Sequence, residues 1–228
     1  MRTQPPARAR LAVFASGSGS NLQAISDHLD ALGSAAPAEL VLVLSDRERA
    51  GALGRARERG IHAEWVPKER SEDIARTLAD HRITLIALAG YLRLVPASVI
   101  GAYRGRILNV HPALLPSFGG SGMYGARVHE AVLRAGVRVS GPTVHFVNER
   151  YDDGAIIAQW PVPVRADDTV ATLGARVLAA EHALYPRCVA AVAAGTVSLD
   201  ADGRVRGAAT LEFDRPTPAL KRSSTLSH

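Results

Sequence analysis

Short apolar runs without polar alternation recur along this chain, each followed by residues at helical spacing. Leu11–Ala15, Leu40–Leu44, Ile83–Ala89 and Ile107–Val110 are such runs. Strands of this kind have to be covered on both faces, which is how parallel strands are buried. Between them, Leu22, Ile25 and Leu29 fall on one helical face, Ala50 to Arg59 reads as a helix stopped by Gly60, and Ser71-Glu72-Asp73 opens a helix with Leu78 inward. Ile61 to Val66 supplies a shorter strand. This alternation predicts an α/β fold, a doubly wound, mostly parallel, Rossmann-like sheet. Past Gly136 the pattern changes. Arg138 to Val147 partly alternates and Ala155 to Trp160 follows closely, which predicts an antiparallel strand addition at the C-terminal side of the sheet. Asp167-Asp168-Thr169 caps a long C-terminal helix over 170–194, and Asp202-Gly203 between Leu199 and Val205 signals a last hairpin.

At 228 residues the chain is long enough for one α/β domain with a sizeable core. One domain is expected over 11–213, with a basic tail at 1–10 and a disordered tail at 214–228. Arg2, Arg8 and Arg10, with Lys221 and Arg222, account for the whole net charge of +5, so residues 11–218 are formally neutral. With no basic stripe interleaved with aromatics, a nucleic-acid partner is not expected. There is no apolar run of membrane-spanning length and no separate signal-peptide core. The single cysteine, Cys188, cannot form an internal disulfide, which fits a cytoplasmic location.

Several chemistry-bearing stretches fall where strands end, the place where such sheets bind ligands. Asn109 and His111 are two apart, so on a strand both point to one face, and Pro112 stops that strand. An amide beside an imidazole can hold an oxyanion and move a proton; an ordinary polar turn would read the same. Ser16-Gly17-Ser18-Gly19-Ser20-Asn21 links the first strand to its helix. Leu22 stands where a dinucleotide fingerprint wants a third glycine, so the loop suits a single phosphate or a plain glycine turn. Asp46 fits a helix cap better than a ribose contact. Tyr91-Leu92-Arg93-Leu94-Val95 would serve equally as the wall of a flat-ring pocket or as core. Asp152-Asp153-Gly154 lies between the two late strands; a carboxylate there would favour a charged imidazole, or simply cap its own turn. His182 reads as structural, and Glu181 as part of a solvated face.

Taken together, Ser16–Gln23, Leu88-Ala89-Gly90-Tyr91-Leu92-Arg93, Asn109-Val110-His111-Pro112-Ala113-Leu114-Leu115-Pro116, Val144-His145-Phe146-Val147 with Asp152, and Glu181-His182-Ala183-Leu184-Tyr185-Pro186 resemble the phosphoribosylglycinamide formyltransferase family, folate-dependent enzymes of purine synthesis. The resemblance spans Leu11 to Leu199. It implies that Gly19, Ser20, Asn21, Leu22 and Gln23 hold the phosphate of glycinamide ribonucleotide and that Glu181 meets its ribose. It implies that Leu92, Arg93, Leu94, Val95 and Asn109 bind 10-formyltetrahydrofolate, the co-substrate, and that Asn109, His111 and Asp152 are catalytic. In that reading the amine attacks the formyl carbon, Asn109 and a protonated His111 stabilise the oxyanion, and Asp152 keeps His111 protonated; no metal and no covalent intermediate are needed. Both partners are small molecules, and the enzyme is expected as a monomer or homodimer. Counting from His145 favours Asp152, with Asp153 a possible substitute, and either Lys68 or Arg70 would meet the folate tail.

Four rival readings carry their own expectations. A methionyl-tRNA formyltransferase would add a C-terminal nucleic-acid domain. A formyltetrahydrofolate deformylase would add an N-terminal regulatory domain and have no use for a phosphate loop. A non-catalytic sugar-phosphate-binding protein would leave Asn109, His111 and Asp152 without a purpose. A nicotinamide oxidoreductase would want the missing glycine.

Overall fold

The computed structural model describes residues 8–207; the seven residues before and those from 208 on, including both ends of the expected tails, lie outside the described residues. Seven strands form the central sheet. β1 (Ala9–Phe14), β2 (Ala38–Ser45), β3 (His62–Trp65), β4 (Leu85–Leu88) and β5 (Ile107–His111) are parallel. β7 (Thr143–Phe146) and β8 (Ile156–Gln159) continue the sheet antiparallel, in the order β3-β2-β1-β4-β5-β7-β8. The order reverses between β1 and β4, so the strands on either side of that point leave their helices on opposite faces and a crevice opens at their carboxyl ends.

The period of two along β1 divides the core. Leu11, Val13 and Ala15 pack on one face with α1 (Ser20–Leu32), α2 (Gly51–Glu58) and the C-terminal half of α6 (Val170–Ala193). Ala12 and Phe14 pack on the other with Ile74 and Leu78 of α3 (Asp73–Asp80) and Val99 of α4 (Ala97–Ala102). A third cluster joins Val128 and Val132 of α5 (Ala126–Ala135) to Leu173 and Val177 of α6. β6 (Val139–Ser140) pairs with β9 (Val162–Pro163), and β10 (Ser198–Leu199) with β11 (Val205–Arg206), outside the main sheet.

α6 starts where the sequence signals it. Thr169 is its N-cap, and the Thr169 and Thr172 side chains each bond the other's backbone N–H, a capping box. The helix carries Tyr185 into the core, where its hydroxyl lies 2.9 Å from the Leu88 carbonyl and 3.1 Å from that of Leu108. Two differences from the sequence reading stand out. α4, the crossover between β4 and β5, is only six residues long and has too few turns to show a periodic face. Asp46 caps no helix: α2 begins after Ala50 without a side-chain cap, and Asp46 instead accepts the Ser16 hydroxyl.

Candidate active site

β5 delivers Asn109 and His111 to the same side of the sheet at its open end. Directly across the antiparallel β5–β7 ladder, His145 faces Asn109 and Thr143 faces His111. Val144 pairs with Ala158 and His145 with Ile156, so the β7–β8 ladder skips Ile157 of β8 beside His145, a bulge. The loop after β7 returns Asp152 to the pair. Asp152 holds a left-handed backbone, φ 54°, tolerated better by Asp than by most side chains.

Asp152 ties the cluster together. Its Oδ1 accepts from Asn109 Nδ2 at 3.3 Å, and its Oδ2 accepts the Gly120 N–H at 3.0 Å and lies 3.4 Å from His111 Nδ1. Asp153 stays outside, half exposed near Arg150 and Asn148. His111 is buried, and its Nε2 is 2.8 Å from the Phe118 carbonyl. A carbonyl only accepts, so Nε2 carries a hydrogen, and a neutral ring then has its lone pair on Nδ1, beside Asp152.

Electrostatics bear on the expected His111–Asp152 pairing. Burial is the largest influence on His111 and holds its pKa below the ordinary histidine value; the Asp152 carboxylate and the Phe118 carbonyl oppose this, and His145 adds to the lowering. Burial thus outweighs the pull of Asp152 toward a protonated His111 in the ligand-free chain. Burial pushes the Asp152 carboxyl up, but the neighbouring His145 ring, the charge of His111 and the Gly120 N–H together hold it below the usual range. The pair is a carboxylate with its pKa held down beside an imidazole whose pKa is also held down.

A cleft of about 660 Å³ opens over this cluster, walled by Gly90, Tyr91 and Leu92 on one side and by the first half of α6 on the other. α1 begins at its rim. Gly19 is the N-cap with φ 81°, and a Cβ there would lie 2.8 Å from Ala52 Cα, so the turn requires glycine. The first helical hydrogen bond is Gln23 N–H to Gly19 carbonyl, which leaves the N–H groups of Ser20, Asn21 and Leu22 ahead of the ladder with no side-chain cap. Such a helix start attracts an anion. The Leu22 side chain is core, and that of Gln23 turns to Asp27 and Arg55, so these two offer backbone at most.

Asn21 lines the cleft and donates to Glu181 Oε2 at 2.6 Å. Glu181 is only 7% exposed, not part of a solvated face, and burial pushes its pKa up to about 7 against the favourable bond from Asn21. Of the folate-binding expectations, Leu92 and Asn109 line the main cleft. Arg93, Leu94 and Val95 instead border a neighbouring hollow of about 350 Å³ together with Lys68. Arg70 is turned away, to Asp73 at 2.8 Å and Glu64 at 3.6 Å. Two buried histidines were not singled out as site residues. His145 was visible only as a landmark of its motif. His129 of α5 lines the cleft with Nδ1 unpartnered, packed against Gly174 of α6, and its only sequence signal was a place on a helix face.

A doubly wound sheet with an amide, an imidazole and a carboxylate gathered under a cleft, and an anion-ready helix start at its rim, describes a group-transfer site. Residues 9–189 match the family described as Formyl transferase, and the chain belongs to that family, as an enzyme of it. Its relatives within the family include phosphoribosylglycinamide formyltransferases. The chloroplastic enzyme of that name from Arabidopsis thaliana is 42% identical over 206 residues, 87% of this chain and 70% of that protein. Among solved structures, glycinamide ribonucleotide transformylase 1 from Symbiobacterium toebii is 38% identical with a TM-score of 0.81, over 90% of this chain and 96% of that one. Phosphoribosylglycinamide formyltransferase from Anaplasma phagocytophilum is 34% identical with a TM-score of 0.80, over 88% and 94%.

Proposed function

We propose that this enzyme transfers the formyl group of 10-formyltetrahydrofolate to the amine of 5-phosphoribosylglycinamide, giving formylglycinamide ribonucleotide and tetrahydrofolate in purine synthesis. The observation that carries the reading is the gathering of Asn109 and His111, backed by Asp152, at the floor of a cleft whose rim is the free start of α1. The substrate phosphate docks on the N–H groups of Ser20 and its neighbours, and Glu181 takes the ribose hydroxyls. Leu92 and Asn109 meet the folate in the main cleft, and the hollow beside Arg93, Leu94 and Val95 takes its outer part, with Lys68 as the cation for its acidic tail. A water-accepting deformylase would have no use for the anion-ready helix start.

The amine nitrogen attacks the formyl carbon, and the carbonyl electron pair moves onto oxygen. Of the two N–H groups of Asn109, the one in the longer contact with Asp152 turns to this oxyanion; such a donor is worth about a hundredfold or more in rate. Neutral His111 takes the proton that the attacking nitrogen must lose, and Asp152 stabilises the imidazolium so formed. As the carbon–N10 bond breaks, its electron pair stays on N10, which receives the proton from His111. A positioned acid–base group of this kind contributes about a hundredfold to ten-thousandfold.

The test is a transfer assay with glycinamide ribonucleotide and 10-formyltetrahydrofolate, following both folate absorbance and formylated product. Product is expected only when the ribonucleotide is present, and Asn109→Ala and His111→Ala should each cut turnover about a hundredfold or more. Formate release without the ribonucleotide would make the enzyme a deformylase, and full turnover in Asn109→Ala would remove that residue from the chemistry.

A further inference from the structure

Behind the reacting cluster lies a group that the transfer chemistry leaves unused. His145 is 1% exposed and does not line the cleft. Its place directly opposite Asn109 across the β5–β7 ladder brings its ring to that amide. Its Nδ1 is 2.8 Å from the Phe146 carbonyl and its Nε2 is 3.1 Å from Asn109 Nδ2. Because the carbonyl accepts, Nδ1 carries a hydrogen, and the 3.1 Å contact with the amide nitrogen makes Nε2 the acceptor there, with Asp152 Oδ1 farther off at 3.7 Å.

The consequence falls on Asn109. A primary amide has two orientations related by a half-turn, nearly equal in shape and opposite in polarity. With Nδ2 inward, one N–H meets the His145 lone pair and the other leans on Asp152 Oδ1 at 3.3 Å. With the oxygen inward, it would face a lone pair and a carboxylate at once, and neither donates. Gly154 guards the same arrangement from the other side. A Cβ there would lie 1.7 Å from the Phe146 carbonyl oxygen and 3.3 Å from His145 Nδ1, so only glycine leaves that carbonyl where His145 needs it.

We propose that His145 is the positioning residue of this site: held by the Phe146 carbonyl, it locks the polarity of the Asn109 amide, so that an N–H and never the oxygen is turned to the forming oxyanion. The proposal rests on the transfer reaction above for its kinetic consequence, though not for its geometry. It accounts for a buried imidazole beside the trio and for the glycine that closes Asp152-Asp153-Gly154.

The experiment compares His145→Gln, His145→Asn and His145→Ala, alone and combined with Asn109→Ala. Glutamine places an acceptor oxygen where Nε2 was. Asparagine is long enough only for the Phe146 contact. Glutamine is expected to keep most of kcat, while asparagine and alanine lose roughly tenfold or more, with KM for both substrates within about twofold. In the Asn109→Ala background none of the three should slow the enzyme further. Multiplying effects in the double variants, asparagine outperforming glutamine, or an unchanged kcat in a folded His145→Ala would each overturn the proposal. The side-chain amide resonances of Asn109, identified by their loss in Asn109→Ala, give a readout independent of turnover. Their hydrogens are expected to exchange slowly in the unsubstituted protein and in His145→Gln, and fast in His145→Asn. If the unsubstituted protein transfers no formyl group, the proposed reaction falls, and equal exchange in Gln and Asn variants would sink the positioning role separately.

Discussion

At the scale of single residues, Asp152 has the most to hold together. It accepts from Asn109 and Gly120 and stands beside His111, from a left-handed backbone position. Asn tolerates that backbone as well as Asp does, so Asp152→Asn removes charge with little change of conformation. Without the carboxylate only the Phe118 carbonyl is left to favour an imidazolium at His111, and kcat is expected to fall about a hundredfold. The pH profile gives the sign. His111 works from its neutral form, so activity is lost as pH falls through its lowered pKa. Removing the nearby anion lowers that pKa further, so the acid limb should move to lower pH in Asp152→Asn. An acid limb that stays in place or moves up would mean that another group sets it.

At the scale of elements, the start of α1 depends on its contact with α2. Gly19 is left-handed, and a side chain there would press on Ala52. Gly19→Ala is expected to cost about 1–2 kcal/mol from backbone handedness alone, seen as a lower Tm. It should also raise KM for the ribonucleotide about tenfold by tilting the N–H groups off the phosphate, with the folate KM unchanged. Equal rises in both KM values would show that the damage is not local to the phosphate end. The hairpin of β7 and β8 was legible as an antiparallel addition because its apolar residues partly alternate and its loop is rich in turn formers. The bulge in β8 opposite His145 was not, because one extra residue in a strand leaves no mark on such a pattern.

Across the whole molecule, buried ionisable groups pull stability in opposite directions with pH. Burial lowers the pKa of His28, His111, His129 and His182. Below about 6.5 the unfolded chain binds protons that these folded sites refuse, so their contribution is lost as pH falls. Glu181 runs the other way. Its folded pKa of about 7 lies above the ordinary 4.5, so it opposes folding above pH 7 and ceases to do so toward pH 4.5. Glu181→Gln keeps the shape and removes the charge. Its Tm should exceed that of the unsubstituted protein above pH 7, and the difference should shrink steadily as pH falls to about 5. A constant difference across that range would mean that Glu181 does not titrate there.

The sequence by itself determined the sheet, since unbroken apolar strands separated by helical periods leave few other ways to bury both faces. It also determined that Asn109 and His111 share a side, because alternation along a strand is a local property. What pairs across strands was decided only by the tertiary structure. The choice of Asp152 over Asp153 and the facing of His145 on Asn109 depend on loop return and ladder register, which bring together residues dozens of positions apart. Burial also belongs to the folded chain alone. It turned Glu181 from an expected surface residue into a carboxyl with a pKa pushed up to about 7, and it pulls the His111 pKa down against the pull of the neighbouring carboxylate. A pKa answers to everything packed around a group, and a sequence names only the neighbours along the chain.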